Sequence, residues 1–353
     1  MDLVAVVERI GEAPTAALFG LITGIVFGVA AQRSRFCLRA ATVEFARGAM
    51  GSKVSVWLLT FSTAVVWVQA AQLLGLMDSA DARMMAVPGS WSGAVIGGLL
   101  FGSGMVLARG CSGRLLVLAA TGNLRSVVSG LIFAVVAQMS LSGLLAPLRD
   151  RLAALWITEG GRNMDLLAAL GLPTYGGLVL GVGIAALALA LARRNRIGAR
   201  RLIFASGVGF SVALGWVLTY SLAQVAFEPL QIESATFTGP SAHTLMFFLE
   251  RDAILEFDVG LVPGVFIGAM IAASLAGEMR IQAFDGPVTM RKAMIGAAMM
   301  GFGGMLAGGC AIGAGVTGGS IFAGTAWAAL FFMWVGAMAT DFLVDQPGST
   351  VTA

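Results

Sequence analysis

Apolar residues gather in nine runs along the chain, separated by short polar or glycine-rich stretches. They cover 15–32, 54–74, 91–108, 126–145, 172–192, 202–224, 260–275, 293–306 and 321–344. Runs of this length and apolarity predict membrane-spanning helices. The eighth is too short to cross about 30 Å of hydrocarbon by itself. It must extend at one end, or a neighbouring loop must complete the crossing. The pattern predicts an all-α polytopic membrane protein of about nine transmembrane helices, with short re-entrant helices between some of them.

Composition agrees with a lipid environment. The 353 residues are 58% hydrophobic and 12% charged, with a mean hydropathy of +0.89, whereas soluble domains carry about 25% charged residues. Apolar runs continue almost to the end, so a single integral membrane domain over 1–353 is expected. The stretch from Met1 to Glu12 has no basic region ahead of an apolar run, which argues against a cleaved signal peptide. A net charge of +3 offers nothing to nucleic acid. No Gly-x-x-x-x-Gly-Lys-Ser/Thr motif is present, so ATP hydrolysis is not expected. Nor does the pattern call for a cofactor. Gly20, Gly24 and Gly28 form a ladder of small residues, as do Gly260, Gly264 and Gly268, and such ladders let helix backbones approach closely in lipid.

Charge sets an expected direction. The cluster Arg193, Arg194, Arg196, Arg200 and Arg201 should face the cytoplasm. Counting spans outward from it puts the N-terminus outside and the C-terminus inside. Of the 22 Lys and Arg residues, only Arg9, Arg83, Arg149, Arg151, Arg162 and Arg251 then fall outside. Of the 19 acids, only Glu44, Glu278, Asp285, Asp341 and Asp345 fall inside.

Two segments match without a gap. Gly102-Ser-Gly-Met-Val-Leu-Ala-Arg-Gly-Cys111 pairs with Gly301-Phe-Gly-Gly-Met-Leu-Ala-Gly-Gly-Cys310. The first follows a span running inward and the second a span running outward. Spans one to four (13–145) therefore map onto spans six to nine (200–344) upside down, with 172–192 as connector. Inverted repeats with broken helices near the midplane are a recurring transporter plan. The same mapping aligns Phe36 with Phe237 and sets Cys37 opposite Thr238.

The three cysteines, Cys37, Cys111 and Cys310, are too dispersed for a disulfide framework or a structural zinc site. A lone buried cysteine is most often a small hydrophobe. Two of them at equivalent points of an inverted repeat, after Gly110 and Gly309, favour a functional reading. Breaks of this kind restart short helices whose N-termini attract anions. A thiol there is a soft, weak donor able to meet a polarizable sulfur without holding it tightly. Arg109 and Arg114 flank Cys111, either drawing anions inward or anchoring the inner face. His243 is the single histidine; it contacts substrate or sits at a polar margin. Glu44 reads as a structural partner of Arg35, Arg39 or Arg47.

Gln32-Arg-Ser-Arg-Phe-Cys37, Ala108-Arg-Gly-Cys111, Thr236-Phe-Thr-Gly-Pro240 and Ala307-Gly-Gly-Cys310, in this order, resemble the YeeE/YedE family of sulfur-compound transporters. The resemblance implies an hourglass-shaped inner-membrane protein and uptake of thiosulfate or a related small sulfur anion. It also implies a relay of transient S–H···S contacts from Cys310 through Cys111 to Cys37, and a cytoplasmic sulfur carrier of the TusA type as a partner. Arg109 stands where the family's loop is expected to hold a small residue, usually glycine. Two other readings compete. A membrane-embedded thiol sulfurtransferase or redox relay would use the same cysteines as nucleophiles, although no general base stands out beside them. A non-transporting scaffold would leave the paired Gly-Cys breaks unexplained.

Overall fold

The computed structural model describes residues 3–251, 253–283 and 286–344; Met1, Asp285 and Asp345 lie outside them. Thirteen helices matter for the site. They are α1 (Glu12–Ser34), α2 (Leu38–Ala46), α3 (Ser52–Leu73), α4 (Trp91–Leu107), α5 (Ser112–Ala120), α6 (Leu124–Leu141) and α7 (Gly176–Arg194). There follow α8 (Ala199–Ala223), α9 (Thr238–Leu249), α10 (Phe257–Leu275), α11 (Pro287–Leu306), the π-wound α12 (Ala311–Gly318) and α13 (Gly324–Val344). Among the described residues, nine helical segments are long and apolar enough to cross a membrane, containing α1, α3, α4, α6, α7, α8, α10, α11 and α13. The fold is that of an all-α polytopic membrane protein, as expected. The eighth span resolves its own shortfall: it begins at Pro287, six residues before its apolar run, and reaches 20 residues.

Many exposed positions in the middle of these helices are apolar. Val179, Ile203, Ile271 and Phe331 are among them, facing outward where no water is available to backbone or side chain. The interior is held by close backbone approach. Both glycine ladders belong to one interface: a Cβ on Gly20, Gly24 or Gly28 would strike the backbone of α10 near Phe257, Leu261 and Val265. A Cβ on Gly260, Gly264 or Gly268 would strike Ala17, Leu21 and Ile25 of α1.

The same contacts give helix directions. Positions rise together along α1 and α10, so these helices run parallel. Gly98 lies on Ala329 and Gly102 on Met333, so α4 and α13 are parallel too. Thr60 of α3 donates to the Ala205 carbonyl of α8 at 3.1 Å, and Gly209 of α8 lies against Thr63, another parallel pair. By contrast, Gly93 meets Leu306 and Gly104 meets Gly296, so α4 and α11 are antiparallel. Spans from the first and second parts of the chain thus meet in pairs, α1 with α10, α3 with α8, and α4 with both α11 and α13.

The short helices also end alike. After α5, Thr121–Asn123 forms a turn that pairs with the chain at Arg280 and Gln282. After α12, 321–323 forms a matching turn that pairs with Met164–Leu166. Glu44 caps α3, its Oε2 accepting from the N–H groups of Lys53 and Val54 at 2.8 Å each. Arg47 bonds instead to Asp341, and Arg35 to Glu278.

Candidate functional site: cysteines at three helix breaks beneath a vestibule

Each cysteine sits at the same kind of break. A spanning helix closes on a residue with left-handed backbone: Arg35 (φ 55°) after α1, Arg109 (φ 57°) after α4 and Gly308 (φ 76°) after α11. One residue intervenes (Phe36, Gly110, Gly309), and the cysteine follows in extended conformation as the N-cap of the next helix. At α4 and α11 the closure is a Schellman turn, with Gly110 N–H bonding the Met105 carbonyl at 3.0 Å and Gly309 N–H that of Gly304 at 2.8 Å.

Serine and aspartate are the usual N-caps. Here sulfur takes their place. Cys310 Sγ accepts from Gly313 N–H at 3.4 Å, whereas Cys37 and Cys111 hold the same N-cap position without a side-chain capping bond. Cys37 and Cys111 lie within interaction reach of each other, as Cys310 does of Cys111. Cys111 and Cys310 are buried and Cys37 is half-buried. The expected site residues thus gather in one region. Thr238 opens α9, with its side chain against Gly304 of α11. That helix begins one residue before the Gly239-Pro240 pair and carries both within its first turn.

A cavity of about 860 Å³ opens on the face where α1 and α10 begin. Its wall includes Thr236, Thr238, Gly308 and Gly309, so its floor lies directly over buried Cys310. A second, narrow crevice surrounds Cys111 and is lined by Phe27, Ala31, Phe36, Gly113, Arg114, Val117 and Ile312. Between them stands Phe237, packed on Phe27 at 4.9 Å between ring centroids and lying against Gly113. The loop carrying Phe237 is pinned by Thr317 Oγ1 donating to the Ala235 carbonyl at 2.5 Å and by Ser234 Oγ donating to that of Val212 at 2.6 Å.

Asp258 and Glu233 escaped sequence reasoning, and the partners and surroundings of Arg114 and His243 were hidden from it. Arg114 Nη1 is buried in the crevice beside Cys111 with no hydrogen-bond partner. His243 has the carboxylate partner that sequence separation concealed: its Nδ1 lies 3.0 Å from Asp258 Oδ2. Hydrogen bonding to Asp258 raises the His243 pKa above its usual value. Burial, reinforced by the charge of Asp258, raises the Glu233 carboxyl well above the ordinary range. Asp258 was the legible one, since an acid inside an apolar span is a functional signal by default; taking 260 as the start of the seventh run left it out.

Nine apolar helical segments among the described residues, with glycine-loosened breaks and cysteines below an open vestibule, define a multi-pass membrane protein of the transport type. The sequence profile of the family described as sulphur transport matches residues 33–339, and the chain belongs to that family. It is 28% identical over 345 residues to a protein of Escherichia coli strain K12 named thiosulfate transporter TsuA, covering 93% of this chain and 94% of that one. It is also 28% identical over 298 residues to the protein of the same name from Spirochaeta thermophila, covering 80% of this chain and 84% of that one.

Proposed function

We propose that this protein takes up thiosulfate or a related small sulfur anion across the inner membrane. The vestibule faces the periplasm with the N-terminus, and the C-terminus is cytoplasmic. The anion settles over Thr238 and the Gly308–Gly309 turn, meets the Cys310 thiol, passes to Cys111 and leaves past Cys37. Transient S–H···S contacts suit this passage because a weak donor binds a polarizable sulfur loosely enough to release it. Segments 13–145 and 200–344 act as inverted halves around this route, with 172–192 connecting them. A TusA-like carrier would collect the sulfur compound on the cytoplasmic side.

One observation carries the reading: three cysteines occupy the N-cap positions of three helices that restart after breaks below the vestibule floor, and Cys37 and Cys310 both lie within interaction reach of Cys111. The names of the two relatives support the substrate class. The bare Arg114 Nη1 supports the charge of the ligand, because a buried guanidinium nitrogen without a partner suits an anion passing beside Cys111. Arg109 is half-buried at its break and adds positive charge to the same end of α4. The test is uptake of ³⁵S-thiosulfate into proteoliposomes by the wild type, Cys111→Ala and Cys310→Ala. Uptake lost in both variants is expected; equal uptake in all three removes the cysteines from the mechanism.

The nearness of Cys37 to Cys111 also favours a second reading, a thiol sulfurtransferase passing a persulfide between the two. Alkylation during active uptake, followed by mass spectrometry, separates them: a persistent persulfide favours the enzyme, and unmodified thiols favour transport.

A further inference from the structure

The vestibule presents an electrostatic difficulty. Its wall holds the carboxylates of Glu12, Glu228, Glu233, Glu250, Glu256 and Asp258. Facing them are Arg83, Arg149 and His243. A doubly charged anion entering such a wall is repelled unless protons neutralise part of it. One group in the wall is constructed for that purpose. His243 of α9 bonds Asp258 of α10 and lies 3.8 Å from Glu256. Asp258 is 4% exposed, and its second oxygen, Oδ1, is buried without a hydrogen-bond partner. Thr238 Oγ1, at the head of α9 in the same wall, is likewise buried and unpartnered. Glu233 reaches this cluster from the preceding loop, and Arg83 opposes it from the neighbouring one. A bare carboxylate oxygen in a poorly hydrated site is unfavourable until a proton or a donor reaches it.

The geometry points to a proton-linked anion site: the anion occupies the space between Thr238 Oγ1 and the Gly308–Gly309 turn, and the His243–Asp258–Glu233 cluster takes up a proton as the anion binds. This rests on the transport reading above and adds to it a second bound species. Proton and anion then bind with positive coupling, and by linkage each strengthens the other. Protonation removes a negative charge or adds a positive one within reach of the anion. The hydrogen bond to Asp258 raises His243 above its ordinary value and burial raises Glu233 well above the usual carboxylate range, so both shifts favour the protonated forms. No electron transfer is involved; the proton comes from the water of the vestibule.

The experiment mixes thiosulfate with detergent-purified protein in weakly buffered solution containing a pH indicator, and measures affinity at several pH values. About one proton should be taken up per anion bound, and affinity should fall about ten-fold per pH unit above the cluster's titration range, the slope for one linked proton. Asp258→Asn and His243→Gln should each flatten this dependence. Binding with no proton uptake in the wild type overturns the inference, as does affinity that follows sodium concentration instead of pH. Parallel uptake assays distinguish this from failure of the transport reading. Cysteine-dependent uptake without proton uptake overturns the linkage alone, whereas absent binding and absent uptake overturn both.

Discussion

The left-handed residue before each cysteine offers a sharp test of how the breaks are built. At Gly308 (φ 76°), a Cβ would meet no atom within 4 Å. Any cost of Gly308→Ala therefore comes from the backbone conformation alone. An L-residue in that region costs about 1–2 kcal/mol. Gly308→Asn should cost less, because asparagine tolerates the conformation. Gly309→Ala differs in kind: its Cβ would stand 2.7 Å from the Ala314 backbone nitrogen, so α12 must shift to admit it. Arg109 occupies the position equivalent to Gly308 at φ 57°. Replacing it with glycine should recover up to about 1–2 kcal/mol of strain, less the greater entropy of glycine in the unfolded chain. The assay is the fraction of monodisperse protein left after heating in detergent. The expected order of stability is Arg109→Gly above wild type, then Gly308→Asn, Gly308→Ala and Gly309→Ala. If Gly308→Ala matches wild type while Gly309→Ala does not, steric contact governs the break and backbone strain does not.

Arg114→Gln should leave the fold intact and weaken thiosulfate uptake about ten-fold or more, through loss of a charge-assisted contact worth about 1.5–3 kcal/mol; unchanged uptake would assign this arginine to packing. Gly24→Leu should abolish a folded product, because its side chain would overlap the Leu261 carbonyl of α10; recovery of native protein on a sizing column would contradict the packing described here. Stability should also depend on pH through His243. Its folded pKa is raised by Asp258, so the contribution is fully present below the unfolded value of about 6.5 and is lost as pH rises through the folded one. Melting curves across that window should fall for the wild type and stay flatter for His243→Gln.

Much of this architecture is legible in residue order. Apolar run length identifies the spans, since lipid tolerates few charges, and the eighth reads short only because Thr289, Arg291 and Lys292 interrupt its first turns. The Gly102–Cys111 and Gly301–Cys310 repeat is visible because close backbone approach and tight turns demand glycine at fixed spacing. Other features depend on tertiary contact. Nothing in the order of residues signals that Arg35 and Arg109 adopt left-handed backbone, because propensity favours glycine there. The His243–Asp258 bond joins residues on separate helices, and no periodicity reports it. The nearness of Cys37 to Cys111 depends on how α2 and α5 meet, which residue spacing does not encode.

That pair is also where the relay is most exposed to test. Mild oxidation of the wild type in proteoliposomes should join Cys37 to Cys111, detected as a linked peptide pair by mass spectrometry. Thiosulfate uptake should fall in proportion to the linked fraction and return on reduction. A linked pair that leaves uptake unchanged would take the thiols off the route.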